Sequence, residues 1–112
     1  MIEVADKYLL VLTNLPDRGR ALELAKTLIE RRLAGCVNVL DGCTSVYRWE
    51  GVVQTEAEIP MLIKTRAECF EKLQEAIIAL HPYELPELIA FRPERALEAY
   101  LAWLSDEVDI SG

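Results

Sequence analysis

The sequence predicts an α+β domain with a ferredoxin-like, split βαβ fold: the order βαββαβ, followed by a C-terminal helix, with an antiparallel sheet. Two segments with helical apolar spacing each follow a strand pattern, and two further strand patterns lie between them. A chain of 112 residues has room for one hydrophobic core. We therefore expect a single domain at 1–112, with its core at about 7–104 and a loose tail at 105–112.

The first βα unit occupies the N-terminal third of the chain. The apolar run at 7–12 predicts a buried strand, and Asp17 is expected to cap the following helix. Gly35 is expected to take the left-handed conformation that ends this helix. Its predicted buried face has apolar residues at three- and four-residue spacing: Leu22, Ala25, Leu28, Ile29 and Leu33.

A long hairpin follows in the sequence. Residues 36–40 and 44–49 are interpreted as one long strand, interrupted by a bulge or bend at Asp41-Gly42. Residues 52–65 return as a strand, because apolar and polar residues alternate there. Pro60 has no N–H for a ladder hydrogen bond, so we expect this stretch at a sheet edge or beside a bulge.

The second half repeats the βα pattern. Thr65 to Glu68 fits a capping box, and the helix after it is expected to end at His81-Pro82. Its predicted apolar stripe consists of Phe70, Leu73, Ile77 and Leu80. A short strand at 86–91 and a last helix at 95–104 complete the fold. That helix is expected to bury Leu97, Tyr100, Leu101 and Leu104.

The predicted fold places its helices on one face of the sheet, so the other face needs a cover. The long middle strands carry apolar residues on both sides in places. We therefore expect neighbouring copies of the chain to cover that face.

Charge and composition narrow the classes of partner. Nineteen acidic and twelve basic residues give a net charge of −7 without a basic stripe, so neither nucleic acid nor an anionic membrane is expected as a partner. The apolar run at 8–12 is too short for a membrane span or a secretion signal. Three cysteines without framework spacing indicate reduced thiols, at Cys36, Cys43 and Cys69. We expect a cytoplasmic protein.

The sequence contains none of the common catalytic motifs. It has no glycine-rich phosphate loop, no nucleophile elbow and no zinc-protease motif, so we do not expect an enzyme. The cysteines lack zinc-site spacing and are expected to be small buried apolar residues. Their redox role stays open.

The segment His81-Pro82-Tyr83-Glu84 is the most chemically suggestive one. A structural role for His81 at the helix end is favoured over metal ligation, because one histidine without a local partner binds metal weakly. Ligation would need Glu84, Glu87 or a second subunit's histidine to converge on His81. The two prolines around Tyr83 and Glu84 stiffen the loop, which suits either a binding loop or a simple strand entry.

Four other side chains can each have a structural role or a ligand-binding role. Tyr47, Trp49 and Trp103 are expected as core or interface anchors, with ligand stacking as the alternative. Lys64 lies at a strand end before a helix, where it could bind an anion; a solvent-directed lysine is the favoured reading.

Five segments in this order and spacing resemble the CutA divalent-cation-tolerance family. The resemblance extends over roughly Tyr8 to Leu104. The segments are Ala34-Gly35-Cys36-Val37-Asn38, Ser45-Val46-Tyr47-Arg48-Trp49-Glu50-Gly51, Ile63-Lys64-Thr65, His81-Pro82-Tyr83-Glu84-Leu85-Pro86-Glu87 and Tyr100-Leu101-Ala102-Trp103-Leu104. The resemblance implies a ferredoxin-like fold, a tight homotrimer built through long strands, and metal tolerance linked to divalent copper.

The same resemblance sets expectations for the site. Members of the family linked to copper can carry a cysteine in the first strand and two histidines before the Pro-Tyr pair; here Thr13 and Leu80 occupy two of those positions. We expect a homotrimer that binds Cu²⁺ or another divalent cation through His81, Glu84 and Glu87. Ligand or interface contacts are expected from Lys64, Tyr47, Trp49, Tyr83 and Trp103. The alternative is a trimeric small-ligand-binding regulatory or scaffold protein of PII-like architecture, with a further protein partner.

Overall fold

The computed structural model describes residues 4–110 and confirms the predicted fold class. The elements are α1 (Val4–Lys7), β1 (Tyr8–Leu15), α2 (Arg18–Glu30), β2 (Cys36–Val39), β3 (Cys43–Trp49), β4 (Val52–Arg66), a 3₁₀ turn (Ala67–Cys69), α3 (Phe70–Leu80), β5 (Ile89–Phe91) and α4 (Glu98–Glu107). The four-residue α1 is an addition to the predicted order.

The sheet is antiparallel throughout and is organised around the 15-residue strand β4. The strand order is β2-β4-β1-β5, and β3 also pairs with β4. Strand β1 pairs with the C-terminal half of β4, from Tyr8 opposite Arg66 to Leu15 opposite Ile59. The N-terminal half of β4 pairs with β3 alone, so the two form a hairpin that extends beyond the other strands.

Strands β2 and β3 are two parts of one bulged strand, as the sequence indicates. Val39 lies opposite Met61, whereas Cys43 lies opposite Glu58, so three residues on one strand face two on the other. Pro60 lies opposite this bulge, where its carbonyl accepts the N–H of Leu40 at 3.0 Å. Its position beside a bulge was one of the two expected for a proline in this strand.

The hydrophobic core lies between one face of the sheet and helices α2 and α3. The core-forming residues of the two helices are Ala21, Leu24, Ala25, Leu28, Leu73, Ala76 and Ile77. The predicted faces were wrong for Leu22, Ile29 and Leu80, which are 37%, 40% and 45% exposed. They flank the buried stripes, because the true stripes are centred on Leu24–Leu28 and on Leu73–Ile77.

The end of α2 differs from the prediction. Arg32, not Gly35, has the left-handed φ of 57°. The backbone N–H of Arg32 donates to the carbonyl of Ile29 at 3.0 Å, and the backbone N–H of Leu33 donates to the carbonyl of Leu28 at 2.9 Å. This pair of hydrogen bonds is the Schellman motif. Gly35 serves a different purpose, since a Cβ atom there would collide with the side chain of Leu104 in α4.

The predicted capping box before α3 was wrong. Thr65 remains in β4, fully buried, and its hydroxyl donates to the carbonyl of Leu33 at 2.7 Å. The carboxylate of Glu68 instead accepts from Arg66 at 3.1 Å. Because β4 continues to Arg66, Thr65 is directed by the pleat of the strand into the core.

The last helix starts and ends later than predicted. It begins at Glu98, and both Leu97 and Tyr100 are exposed, while Leu101 and Leu104 are buried as expected. Val108 is also buried, and the N–H of Asp109 donates to the carbonyl of Arg32 at 2.9 Å. The segment 105–110 is therefore packed and not a loose tail; 111–112 lie outside the described residues.

Candidate functional site

His81 connects the end of α3 to the end of β1. The backbone N–H of His81 donates to the carbonyl of Ile77 at 2.8 Å, and the extended backbone conformation of His81 ends the helix before Pro82. The ring Nδ1 accepts the backbone N–H of Tyr83 at 3.0 Å, so Nε2 carries the proton and donates to the carbonyl of Asn14 at 2.7 Å. Burial lowers the pKa of His81, which favours this neutral form.

Tyr83 extends the same network to the hairpin. Its ring lies 4.8 Å from that of His81, and its hydroxyl donates to the carboxylate of Glu58 at 2.9 Å. Burial and the neighbouring Glu58 raise the pKa of Tyr83, so the phenol stays protonated and remains a donor. The side chain of Asn14 in turn donates to Glu87 at 3.3 Å. Hydrogen bonds thus join β1, β4 and the loop after α3.

These connected elements enclose a cleft of about 950 Å³ between the hairpin and the loop after α3. The hairpin contributes Tyr47, Trp49, Glu56 and Glu58; β1 and the residue after it contribute Asn14 and Pro16. The loop contributes residues 82–88, including Tyr83, Glu84 and Glu87, and the first residue of β5, Ile89, follows them. We call this the hairpin cleft.

The hairpin cleft combines negative charge with aromatic surface. Four glutamates line it, and among the described lining residues none is lysine, arginine or histidine. Three aromatic side chains, Tyr47, Trp49 and Tyr83, provide apolar walls. Carboxylates and aromatic faces both attract cations, so the cleft is built to favour a positively charged ligand.

The expected copper site at His81 does not fit this geometry. Both ring nitrogens are engaged by backbone groups, because Nε2 carries the proton and the lone pair of Nδ1 accepts from Tyr83, so the ring has no free lone pair for a metal. Thr13 is fully buried, while Leu80 is exposed on α3. Within residues 4–110, no three His, Cys, Asp or Glu side chains of one chain lie close enough to hold a metal ion. In this arrangement His81 has the structural role that its position at the helix end favours over metal ligation.

The predicted site residues separate into two groups. Tyr47, Trp49, Tyr83, Glu84 and Glu87 all line the hairpin cleft, as the predicted rigid loop allows. Lys64 and Trp103 lie elsewhere: the Lys64 ammonium is near Cys36 and Tyr100, and Trp103 packs on Tyr100 with ring centroids 5.5 Å apart.

Sequence reasoning missed three polar residues of the cleft, which are Asn14, Glu56 and Glu58. Glu56 and Glu58 lie in the segment that was predicted only as a strand, although their two-residue spacing puts them on one face. Asn14 contributes through its backbone carbonyl, which accepts from His81, and through its side-chain amide, which donates to Glu87; the sequence gives no signal for either contact.

Comparison with known proteins identifies relatives over most of the chain. Residues 9–107 match the family model described as CutA1 divalent ion tolerance protein. The divalent-cation tolerance protein CutA of Thermus thermophilus is 44% identical over 96 residues, which is 86% of this chain and 93% of that protein. The crystal structure of CutA1 from Oryza sativa superposes with a TM-score of 0.91 at 38% identity, covering 94% of this chain and 96% of that one.

A third relative is longer than this chain, and its name states its location in the cell. The chloroplastic protein CutA of Arabidopsis thaliana is 39% identical over 88% of this chain, but the match spans only 54% of that protein. Relatives thus occur outside the cytoplasm, and the cytoplasmic location stays a prediction. Over residues 4–110, the structure contains no helix with the length and apolar character needed to cross a membrane.

Proposed function

The chain belongs to the CutA1 divalent ion tolerance protein family, and on that basis we propose that it contributes to divalent-cation tolerance as a homotrimer that binds cations at the hairpin cleft. The observation that carries the proposal is the lining of the cleft by four glutamates without a basic side chain among the described lining residues. The proposed role is binding and not catalysis.

Self-association is supported by apolar surface on the sheet face away from α2 and α3. On β5, Ile89 and Phe91 are 46% and 50% exposed. The protruding hairpin is apolar on both faces, since Val46 and Val53 lie on one side and Tyr47 and Trp49 on the other, all exposed. Apolar surface of this extent is typical of a subunit interface.

Subunit association would also complete the cation site. A divalent cation needs several converging ligands, and the described residues of one chain supply no such group. The hairpin cleft lies beside the exposed hairpin, so a neighbouring subunit that covers the hairpin can bring further ligands to Glu84 and Glu87. We therefore place the proposed cation between subunits and away from His81.

Isothermal titration calorimetry with Cu²⁺ tests the proposal on the assembled protein. We expect Glu84→Gln with Glu87→Gln to weaken binding, and Glu71→Gln with Glu75→Gln on the exposed side of α3 to leave it unchanged. His81→Ala should keep the wild-type affinity wherever circular dichroism shows an intact fold. Loss of binding on His81→Ala with the fold intact, or full affinity in the cleft double variant, would contradict the proposal.

A second candidate is a trimeric small-ligand-binding protein of PII-like architecture. The volume of about 950 Å³ and the aromatic walls favour it, because pockets of this size and lining hold organic molecules. Native mass spectrometry separates the two candidates. An organic adduct that survives metal removal and disappears on Trp49→Ala would favour the small ligand, whereas metal adducts alone would favour the first proposal.

A further inference from the structure

The loop between α3 and β5 forms one wall of the hairpin cleft, and side-chain hydrogen bonds fix it to β1 and β4. We call residues 82–88 the cleft loop. The hydrogen bonds join His81 to the carbonyl of Asn14, Tyr83 to the carboxylate of Glu58, and Glu87 to the amide of Asn14. The position of the cleft loop, and with it the shape of the cleft, therefore depends on these contacts.

Among these contacts, His81 is the group that titrates nearest to neutral pH. It is the one histidine of the sequence, and it is 7% exposed. In the neutral ring, Nε2–H donates to the carbonyl of Asn14 at 2.7 Å, while Nδ1 accepts the backbone N–H of Tyr83 at 3.0 Å. Protonation of Nδ1 converts this acceptor into a donor, so two N–H groups then face each other.

Repulsion between these two donors displaces Tyr83, the residue that links the cleft loop to the hairpin. The ring of Tyr83 packs on His81 with centroids 4.8 Å apart, and its hydroxyl donates to Glu58 at 2.9 Å. A change of backbone conformation at 81–83 therefore reaches β4 through this side chain. The protonated ring keeps its bond from Nε2 to the carbonyl of Asn14, so the end of α3 stays attached to β1 while the loop after it is released.

The groups around His81 set the pH at which this change occurs. The charged groups of the neighbouring elements are Glu58 on β4, Glu87 of the cleft loop beside Asn14, and Arg20 and Glu23 of α2 beside Pro82. Strand β1 carries no charged residue. Burial lowers the pKa of His81, and this effect outweighs the opposing effects of the hydrogen bond to Asn14 and of the Glu58 carboxylate. The change therefore occurs below the usual histidine pKa of about 6.5.

We propose that His81 is a proton-sensitive switch of the hairpin cleft: the neutral ring holds the cleft loop in place, and the protonated ring displaces the loop and weakens cation binding. The effect on binding rests on the proposed function, whereas the displacement of the loop does not. A site of this kind holds its cation at neutral pH and releases it on acidification, before the carboxylates of the cleft are protonated.

NMR titration of the assembled, metal-free protein tests the displacement of the loop. The sequence has two tryptophans, Trp49 in the cleft and Trp103 on α4, so the second is an internal control. Between about pH 8 and pH 5 we expect the amide signals of Glu84 and Leu85 and the indole signal of Trp49 to shift with the midpoint of His81. The indole signal of Trp103 should stay fixed. Titration of His81 without these shifts, or no titration of His81 in this range, would overturn the proposal.

Two variants identify the titrating group. His81→Gln keeps an N–H donor for the carbonyl of Asn14 but does not titrate, so the loop and Trp49 signals should stay constant. Glu58→Gln keeps an acceptor for the hydroxyl of Tyr83, so the transition should persist and move to lower pH with the midpoint of His81. A transition that survives in His81→Gln, or loop signals in Glu58→Gln that no longer follow His81, would refute the switch.

Calorimetric titration with Cu²⁺ measures the effect on binding. One pH unit below the midpoint of His81, about one-tenth of the rings are neutral, so the apparent Kd should be roughly tenfold higher than at pH 7.5. His81→Gln and His81→Ala lack the titrating ring and should lose only the affinity that protonation of the carboxylates removes. An equal loss in wild type and both variants would contradict the switch. Absence of Cu²⁺ binding at pH 7.5, with the NMR transition present, would contradict the proposed function and support the loop displacement.

Discussion

His81 illustrates how local contacts decide the role of a residue type that often binds metal. The neutral ring joins Tyr83 to Asn14, and protonation of Nδ1 would break the bond from the Tyr83 N–H. Burial lowers the pKa of His81 below its usual value of 6.5, whereas the unfolded chain keeps that value. The unfolded state therefore binds the proton first as pH falls.

This order of protonation predicts a pH-dependent stability. The contribution of His81 is fully present above about pH 6.5 and is lost as pH falls towards the lowered pKa of the folded state. As pH is lowered from about 7.5 to about 5.5, we expect the urea concentration at the unfolding midpoint of the wild-type protein to decrease, when measured at a fixed protein concentration. His81→Gln should show a smaller fall. An equal fall in both proteins would assign the pH dependence to other groups.

Thr13 carries a buried hydroxyl without a hydrogen-bond partner among the described residues. Because burial of an unsatisfied hydroxyl is unfavourable, Thr13→Val should raise the free energy of unfolding by about 1 kcal/mol in urea titrations. Thr65→Val is the matched control. It removes a hydroxyl that donates to Leu33 and should lower the free energy by about 1–2 kcal/mol. A destabilised Thr13→Val protein would show that this hydroxyl has a partner.

At the scale of elements, Gly35 allows α4 to pack closely against the residue that precedes β2. A Cβ atom at this position would meet the end of the buried Leu104 side chain, so Gly35→Ala should destabilise the protein by about 1–3 kcal/mol because that side chain must leave its packed position. Gly19→Ala is the control, since a Cβ there meets only a carboxylate oxygen of Asp17 at 3.4 Å. Thermal unfolding of both variants provides the measurement. A Gly35→Ala protein as stable as wild type would contradict the close packing of α4.

Elements defined by local spacing were predicted well from the sequence. The alternation of apolar and polar residues predicted β4. The carboxylate of Asp17 caps α2 as expected, since it accepts from the backbone N–H of Arg20. The proline after His81 correctly predicted the end of α3. The predictions failed where tertiary packing decides. Thr65 fits a capping pattern, yet its hydroxyl bonds to Leu33, 32 residues away in sequence. Such a partner leaves no trace in local spacing.

The candidate site was predictable in part. Tyr83, Glu84 and Glu87 share one rigid loop, so their common position followed from the two prolines around them. Glu58 joins them because the long hairpin brings residue 58 next to residue 83, a contact between segments 25 residues apart. The cluster of Cys36, Lys64 and Tyr100 depends on a cross-strand register and on the docking of α4, which the sequence alone did not specify.

For the whole molecule, the exposed apolar face predicts self-association. Multi-angle light scattering should give three times the 12.7 kDa mass of the chain. Phe91→Asp, on the uncovered face, should lower that mass because a charge cannot be buried there without a partner. Ile78→Asp is the matched control, since Ile78 is 59% exposed but lies on α3, away from that face. A wild-type monomer at micromolar concentration would contradict the trimer.

The central proposal is a cation site formed between subunits at the hairpin cleft. Anomalous diffraction from crystals soaked in a divalent copper salt tests it most directly, because the position of the metal and the chains that supply its ligands are seen together. We predict an anomalous peak at the cleft, next to Glu84 or Glu87, with at least one ligand from a second subunit. A peak bonded to a ring nitrogen of His81, with the cleft empty, would contradict this account.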